Sequence, residues 1–184
     1  MKKILLSLIV LVFALSNLEA QKYFTREGKV SFFSNAPMEK IEAHNNSATG
    51  IVDFETGKME FAVLIKAFQF EKALMQEHFN ENYMESGKFP KATFKGEITN
   101  KNEVNFVKAG TYKVKVKGDM TIHGVTKPME ATGTLSIKEG SVALASEFEI
   151  TVADYGIQIP AVVKDNIAKI VKVNLAMNCE PFNK

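Results

Sequence analysis

TYKVKVKGDMTIHGVTKPMEATGTLSI, residues 111–137, alternates apolar and polar side chains along two runs joined by one turn. In the first run Tyr112, Val114 and Val116 share a face, and Lys113, Lys115 and Lys117 share the other. In the second, Met129, Ala131, Gly133, Leu135 and Ile137 stand opposite Glu130, Thr132, Thr134 and Ser136. A period of two puts alternate residues on opposite sides of a pleated strand, so each run predicts a strand with one face buried. His123-Gly124 falls in the middle, where glycine supplies the backbone angles of a tight hairpin turn.

The same rhythm recurs on both sides of this hairpin. Ala92, Phe94, Gly96 and Ile98 oppose Thr93, Lys95 and Glu97, while Val142, Leu144, Phe148, Ile150 and Val152 repeat the pattern downstream. Val171, Val173, Leu175, Met177 and Cys179 close the chain, and Met59, Phe61, Val63 and Ile65 form one face of an earlier strand. Leu64 on the opposite side of that strand predicts that it is covered on both faces. Strands around Val30–Phe33, Ile41–His44 and Ile51–Phe54 are less regular. About eight strands with short connections imply an antiparallel meander, and closing the sheet into a barrel removes its free edges. The predicted fold is all-β, an antiparallel eight-stranded barrel. Two segments break the period. Glu71–Glu85 carries Met75, Phe79 and Tyr83 at four-residue spacing, and Pro160–Ile170 begins with a proline suited to a first helical turn. One or two short helices covering an opening are therefore expected.

The N-terminus has a separate logic. Lys2 and Lys3 precede an apolar run, Ile4 to Leu15, and a more polar stretch ends at Ala20. This is the layout of a secretory signal peptide, and the run is too short for a bilayer span of roughly 20 residues. The expectation is a removed leader at residues 1–20 and one domain over residues 21–184, periplasmic or secreted, without stable membrane insertion. Losing Lys2, Lys3 and Glu19 takes the formal charge from +2 to +1. A nearly neutral protein has no field to recruit nucleic acid, and the lysine face of residues 113–117 reads as a solvated strand surface. Cys179 is the single cysteine, which excludes an intramolecular disulfide.

Chemistry-bearing motifs are absent. His44, His78 and His123 are far apart, and neither His-x-x-x-His nor Cys-x-x-Cys spacing offers a metal site. No Gly-x-Ser-x-Gly elbow or phosphate-cradling loop occurs. A spatial pairing of His78 with Asp154, or of His123 with Asp119, would supply a base and its orienter, yet no residue stands out as a nucleophile.

Three stretches carry a family likeness: EHFNENYMESGKFPKATFKG at 77–96, GDMTIHGVTKPM at 118–129, and Asp154-Tyr155-Gly156-Ile157. In order and spacing they resemble the YceI-like family of periplasmic lipid- or polyisoprenoid-binding proteins. His78-Phe79, then Phe89, Pro90 and Phe94, then Thr121 to Pro128 match the family's motifs, and Tyr155-Gly156 stands where Phe-Gly is more usual. The N-terminal strands lack the Ser/His-rich opening common in the family, and the segment 160–170 is longer. The resemblance implies a lipocalin-like barrel with an elongated cavity for an isoprenoid tail, and no settled enzymatic activity. On that reading Phe61, Val63, Phe94, Tyr112, Val114, Leu135, Phe148 and Val173 form the tunnel wall. Met75, His78, Phe79, Tyr83 and Tyr155 serve as lid or head-group contacts. The ligand is an isoprenoid, an isoprenoid quinone or another lipid, and no other cofactor or metal is called for. Two alternatives stay open on the residues alone: an enzyme acting on a bound lipid, and a ligand-free interaction or stress module with a packed barrel.

Overall fold

The computed structural model describes residues 22–182, so the leader expected at residues 1–20 lies outside the described residues. Nine strands are described: β1 (Lys22–Asn35), β2 (Lys40–Asp53), β3 (Lys58–Leu64), β4 (Gln69–Phe70), β5 (Lys91–Ile98), β6 (Gly110–Ile122), β7 (Val125–Lys138), β8 (Ser141–Thr151) and β9 (Ile170–Pro181). Eight of them form an antiparallel ring in the order β1-β9-β8-β7-β6-β5-β3-β2, and β2 pairs back onto β1 to close it. The two-residue β4 lies beside Ala43 and His44 of β2. The closed eight-stranded barrel expected from the alternation is what the chain forms.

The faces follow the period as well. Phe61, Phe94, Val114, Leu135, Leu144 and Val173 are all buried in one continuous core. Lys113, Lys115 and Lys117 point outward, and Lys117 sits 3.0 Å from Glu130 on the neighbouring strand. The irregular N-terminal strands turn out to be long, 14 residues each. Their register shifts between Thr25 and Gly28, and again between Gly28 and Val30. Each shift inserts an unpaired residue that flips the alternation, which is why these strands read poorly from sequence.

Two expectations need correction. Leu64 is 46% exposed, so β3 is covered on its inner face only. Pro160–Ile170 is not a helix: it forms a single 3₁₀ turn at Ala161–Val163, with Val163 N–H bonding the Pro160 carbonyl and Asn166 N–H that of Val163. Two adjacent β-branched residues, Val162 and Val163, and the lack of a side-chain cap give a longer helix little support there. The other segment does make a helix, α1 (Ala73–His78), which widens into a π-type turn over Phe79–Tyr83. Met84 N–H bonds the Phe79 carbonyl at 2.9 Å, and Glu85, at φ 42°, ends the run in left-handed geometry.

One half of the barrel is filled. Leu135, Met177, Ile98, Val52, Val142 and Cys179 have almost no exposure, and Tyr23, Phe54 and Phe106 pack at tilted angles, with ring centroids 4.7 and 4.9 Å apart. Burial pushes the Cys179 thiol up to about 11. Since the thiolate is the reactive form, roughly a thousandth of it is present at pH 8. Cys179 in the native protein should therefore resist a thiol-alkylating reagent at pH 8 and react once denaturant is added, as followed by intact mass.

Candidate binding cavity

The other half of the barrel is hollow. A cavity of about 410 Å³ opens there, walled mainly by apolar side chains. Phe61 and Phe94 lie on adjacent strands with rings stacked at 6.3 Å, and Val63, Val114, Val116, Phe148 and Val173 continue the wall. Small residues make the room: Ala92 on β5, and Ala131 and Gly133 on β7, also face the space.

Of the eight residues expected in the wall, Phe61, Val63, Phe94, Val114, Phe148 and Val173 border this cavity. Tyr112 and Leu135 do not. They pair with each other on β6 and β7, one inward-facing position beyond the Val114–Gly133 pair, toward the filled end. Leu135 is wholly buried in the core, and the Tyr112 hydroxyl donates to the Lys108 carbonyl at 3.0 Å. Alternation gives the face of a strand but not the depth along the barrel at which packing stops.

The lid set is also divided. Met75, His78, Phe79 and Tyr83 of α1 and its π turn all border the cavity. Phe79 is gripped by Phe32, Phe68 and Phe70, with ring centroids 5.0 to 5.7 Å away. Burial raises the Tyr83 phenol above its ordinary range. Tyr155 stands apart. It is buried with Ile65, Met84, Ile122, Val152 and Ile157 in a second small core and does not reach the cavity.

Sequence reading missed the polar groups at the lid end. Ser34, Glu39 and Asn166 border the cavity, as His78 does. Asn166 Nδ2 donates to Glu39 Oε2 at 3.4 Å, and Lys72 Nζ is 3.8 Å from Glu39 Oε1. The Ser34 hydroxyl accepts the Ala168 N–H. These residues come from the end of β1, the β1–β2 turn and the segment before β9, a juxtaposition that no local pattern signals.

The motif residues converge on a structural joint. His123 and Gly124, at φ 50° and 75°, form the two-residue turn between β6 and β7. His123 Nε2 lies 2.8 Å from the Glu85 carboxylate, and its Nδ1 lies 3.2 Å from the Tyr155 carbonyl. Its ring meets Phe89 edge-on at 4.6 Å. The expected Asp119 partner is replaced by Glu85, 38 residues away in sequence. A single imidazole thus ties the β6–β7 turn to the loop after α1 and to the 3₁₀ turn Val152–Tyr155. Among the described residues no group of three or more His, Cys, Asp or Glu is placed to hold a metal ion.

A model of the YceI-like domain matches residues 23–179. No curated protein matches the chain by sequence. Among solved structures, a polyisoprenoid binding domain from Saccharophagus degradans, implicated in plant cell wall breakdown, superposes with a TM-score of 0.76 at 12% identity, over 89% of this chain and all of that one. Burkholderia cenocepacia BcnA gives 0.70 at 17% identity, over 82% and 95% of the two chains. The Campylobacter jejuni YceI protein gives 0.60 at 16%, over 77% and 85%. At these identities the structural likeness speaks for the fold.

A Cβ on Gly124 would overlap the Phe89 ring, and a branched residue strains at positive φ. Gly124→Val should cost about 3 kcal/mol, a fall in Tm of about 10 °C measurable by thermal denaturation.

Proposed function

The chain belongs to the YceI-like family, and from that membership and the cavity we propose that it binds a long apolar lipid, an isoprenoid or isoprenoid quinone, inside the barrel. It stores or carries this ligand after export through the leader at residues 1–20. The observation that carries the reading is the cavity: about 410 Å³, walled by Phe, Val, Ala and Gly along the barrel, with the bonded Glu39–Asn166 pair and the His78 imidazole also in its lining. Ligand pockets typically span about 300–1,000 Å³ and combine an apolar lining with a few placed polar groups. The tail lies against Phe61, Val63, Phe94, Val114, Phe148 and Val173, and the head group rests near Glu39, His78 and Asn166. The related Saccharophagus degradans domain, a polyisoprenoid binding domain, supports the same class of ligand.

The energetics suit this assignment. Burying a five-carbon isoprene unit contributes about 4 kcal/mol, at roughly 0.8 kcal/mol per carbon. Four units contribute about 16 kcal/mol, and an association cost of about 8 kcal/mol leaves micromolar binding. No ion pair with the ligand is required. We read the role as binding rather than catalysis, because the family membership points to binding and His123 is engaged in holding the fold.

Filling the cavity is the direct test. Ala131→Phe places a ring in vacant space, so it should abolish binding of a fluorescent polyprenyl probe while Tm shifts by less than about 3 °C. A wild type that never binds the probe, together with a strongly destabilised Ala131→Phe, would instead mean a packed barrel without a ligand.

A further inference from the structure

β7 and β8 are neighbours in the barrel, yet their ladder runs only from Gly133–Ser146 to Lys138–Ser141. β7 extends back to Val125 and β8 continues to Thr151. Residues 125–132 remain a strand through β6, and residues 147–151 through β9. Across this stretch the two strands share no backbone ladder, and the barrel wall is interrupted there.

The interruption lies beside the cavity. Met129, Ala131 and Gly133 border the cavity from one strand, and Ser146, Phe148 and Ile150 from the other. Thr134 and Ala145, one rung inside the paired ladder, also border the cavity, which therefore extends from the ladder's last rungs along the interruption. The gap is framed rather than frayed. At its apex the Ser146 hydroxyl donates to the Thr132 carbonyl at 2.8 Å, just where backbone pairing ends. At its base the His123 joint fixes the start of β7 against the turn that follows β8. Pro128, within the gapped stretch, brings no N–H to be satisfied. The acidic groups on the rim turn to flanking strands, Glu130 to Lys117 and Glu147 to Lys172 at 2.7 Å. The opening itself is left to small and apolar residues.

The two ends of the barrel offer less. One is filled by the core, and the other is covered by α1, whose Phe79 is held among three phenylalanines. We infer that the gap between β7 and β8 is a lateral portal through which the hydrocarbon chain of the ligand enters and leaves the cavity. The inference rests on the binding function proposed above and adds the route.

Bridging the portal tests it. Two double variants are made, Thr132→Cys with Glu147→Cys next to the last paired rung, and Glu130→Cys with Glu149→Cys farther along. The first is closed by oxidation and the second by a short bis-maleimide, with bridging verified by intact mass; buried Cys179 takes no part. Association and dissociation of a fluorescent polyprenyl probe are followed by stopped flow. The bridge farther along should slow both rates at least tenfold and leave Kd within about threefold. The bridge next to the last rung should slow them less, and reducing it should restore them. Singly labelled cysteine variants should exchange at the wild-type rate. Bridged proteins that exchange probe as fast as unbridged ones would overturn the portal and leave the binding function standing. Unbridged variants and a wild type that bind no probe would overturn both.

Discussion

An eight-stranded ring has a fixed circumference, and everything inside this protein follows from how side chains divide that limited cross-section. Once β2 pairs with β1, no strand can move outward to make room. Where Leu135, Ile98, Val52 and Met177 point inward, the section is full. Where Ala92, Ala131 and Gly133 take the equivalent inward positions, it stays empty. The hollow is therefore a matter of residue size at a few positions along otherwise similar strands. It needs no special backbone.

That division explains what could be read from sequence. The closed sheet was legible because strand alternation is written residue by residue, and the inward faces of β5 to β9 followed from it. Depth along the barrel was not legible: Tyr112 and Val114 have the same signature, yet one packs at the filled end and the other borders the cavity. The bulges near Gly28 hid two long strands by breaking the period. The polar cluster of Ser34, Glu39 and Asn166 was invisible because a turn and a distant loop assemble it. The interruption between β7 and β8 leaves no trace either, since each strand keeps its alternation by pairing on its other side.

The family motifs acquire a physical meaning in this light. Phe89, Pro90, His123, Gly124 and Tyr155 do not border the cavity. They hold the closed end of the β6–β7 hairpin against two loops, through one imidazole, one ring contact and the hydrogen bond from Ile65 N–H to the Pro90 carbonyl. Such a joint preserves the frame of the barrel while leaving the wall residues free to vary with the ligand. Other motif residues, His78, Phe79 and Phe94, border the cavity, so the motifs serve both the joint and the pocket.

The gapped stretch of β7 and β8 also bears on how copies of this protein meet in a crowded compartment. Strand segments with unsatisfied backbone groups are templates for edge-to-edge association and, in the extreme, for fibrils. Here the exposed edges carry Pro128, which cannot donate, and the carboxylates of Glu130, Glu147 and Glu149. A second copy adding its own edge would have to strip water from the Lys117–Glu130 and Lys172–Glu147 pairs, and desolvating such pairs costs free energy. The gapped stretch thus carries features that disfavour edge-to-edge pairing, a proline that cannot donate and charged pairs that resist burial.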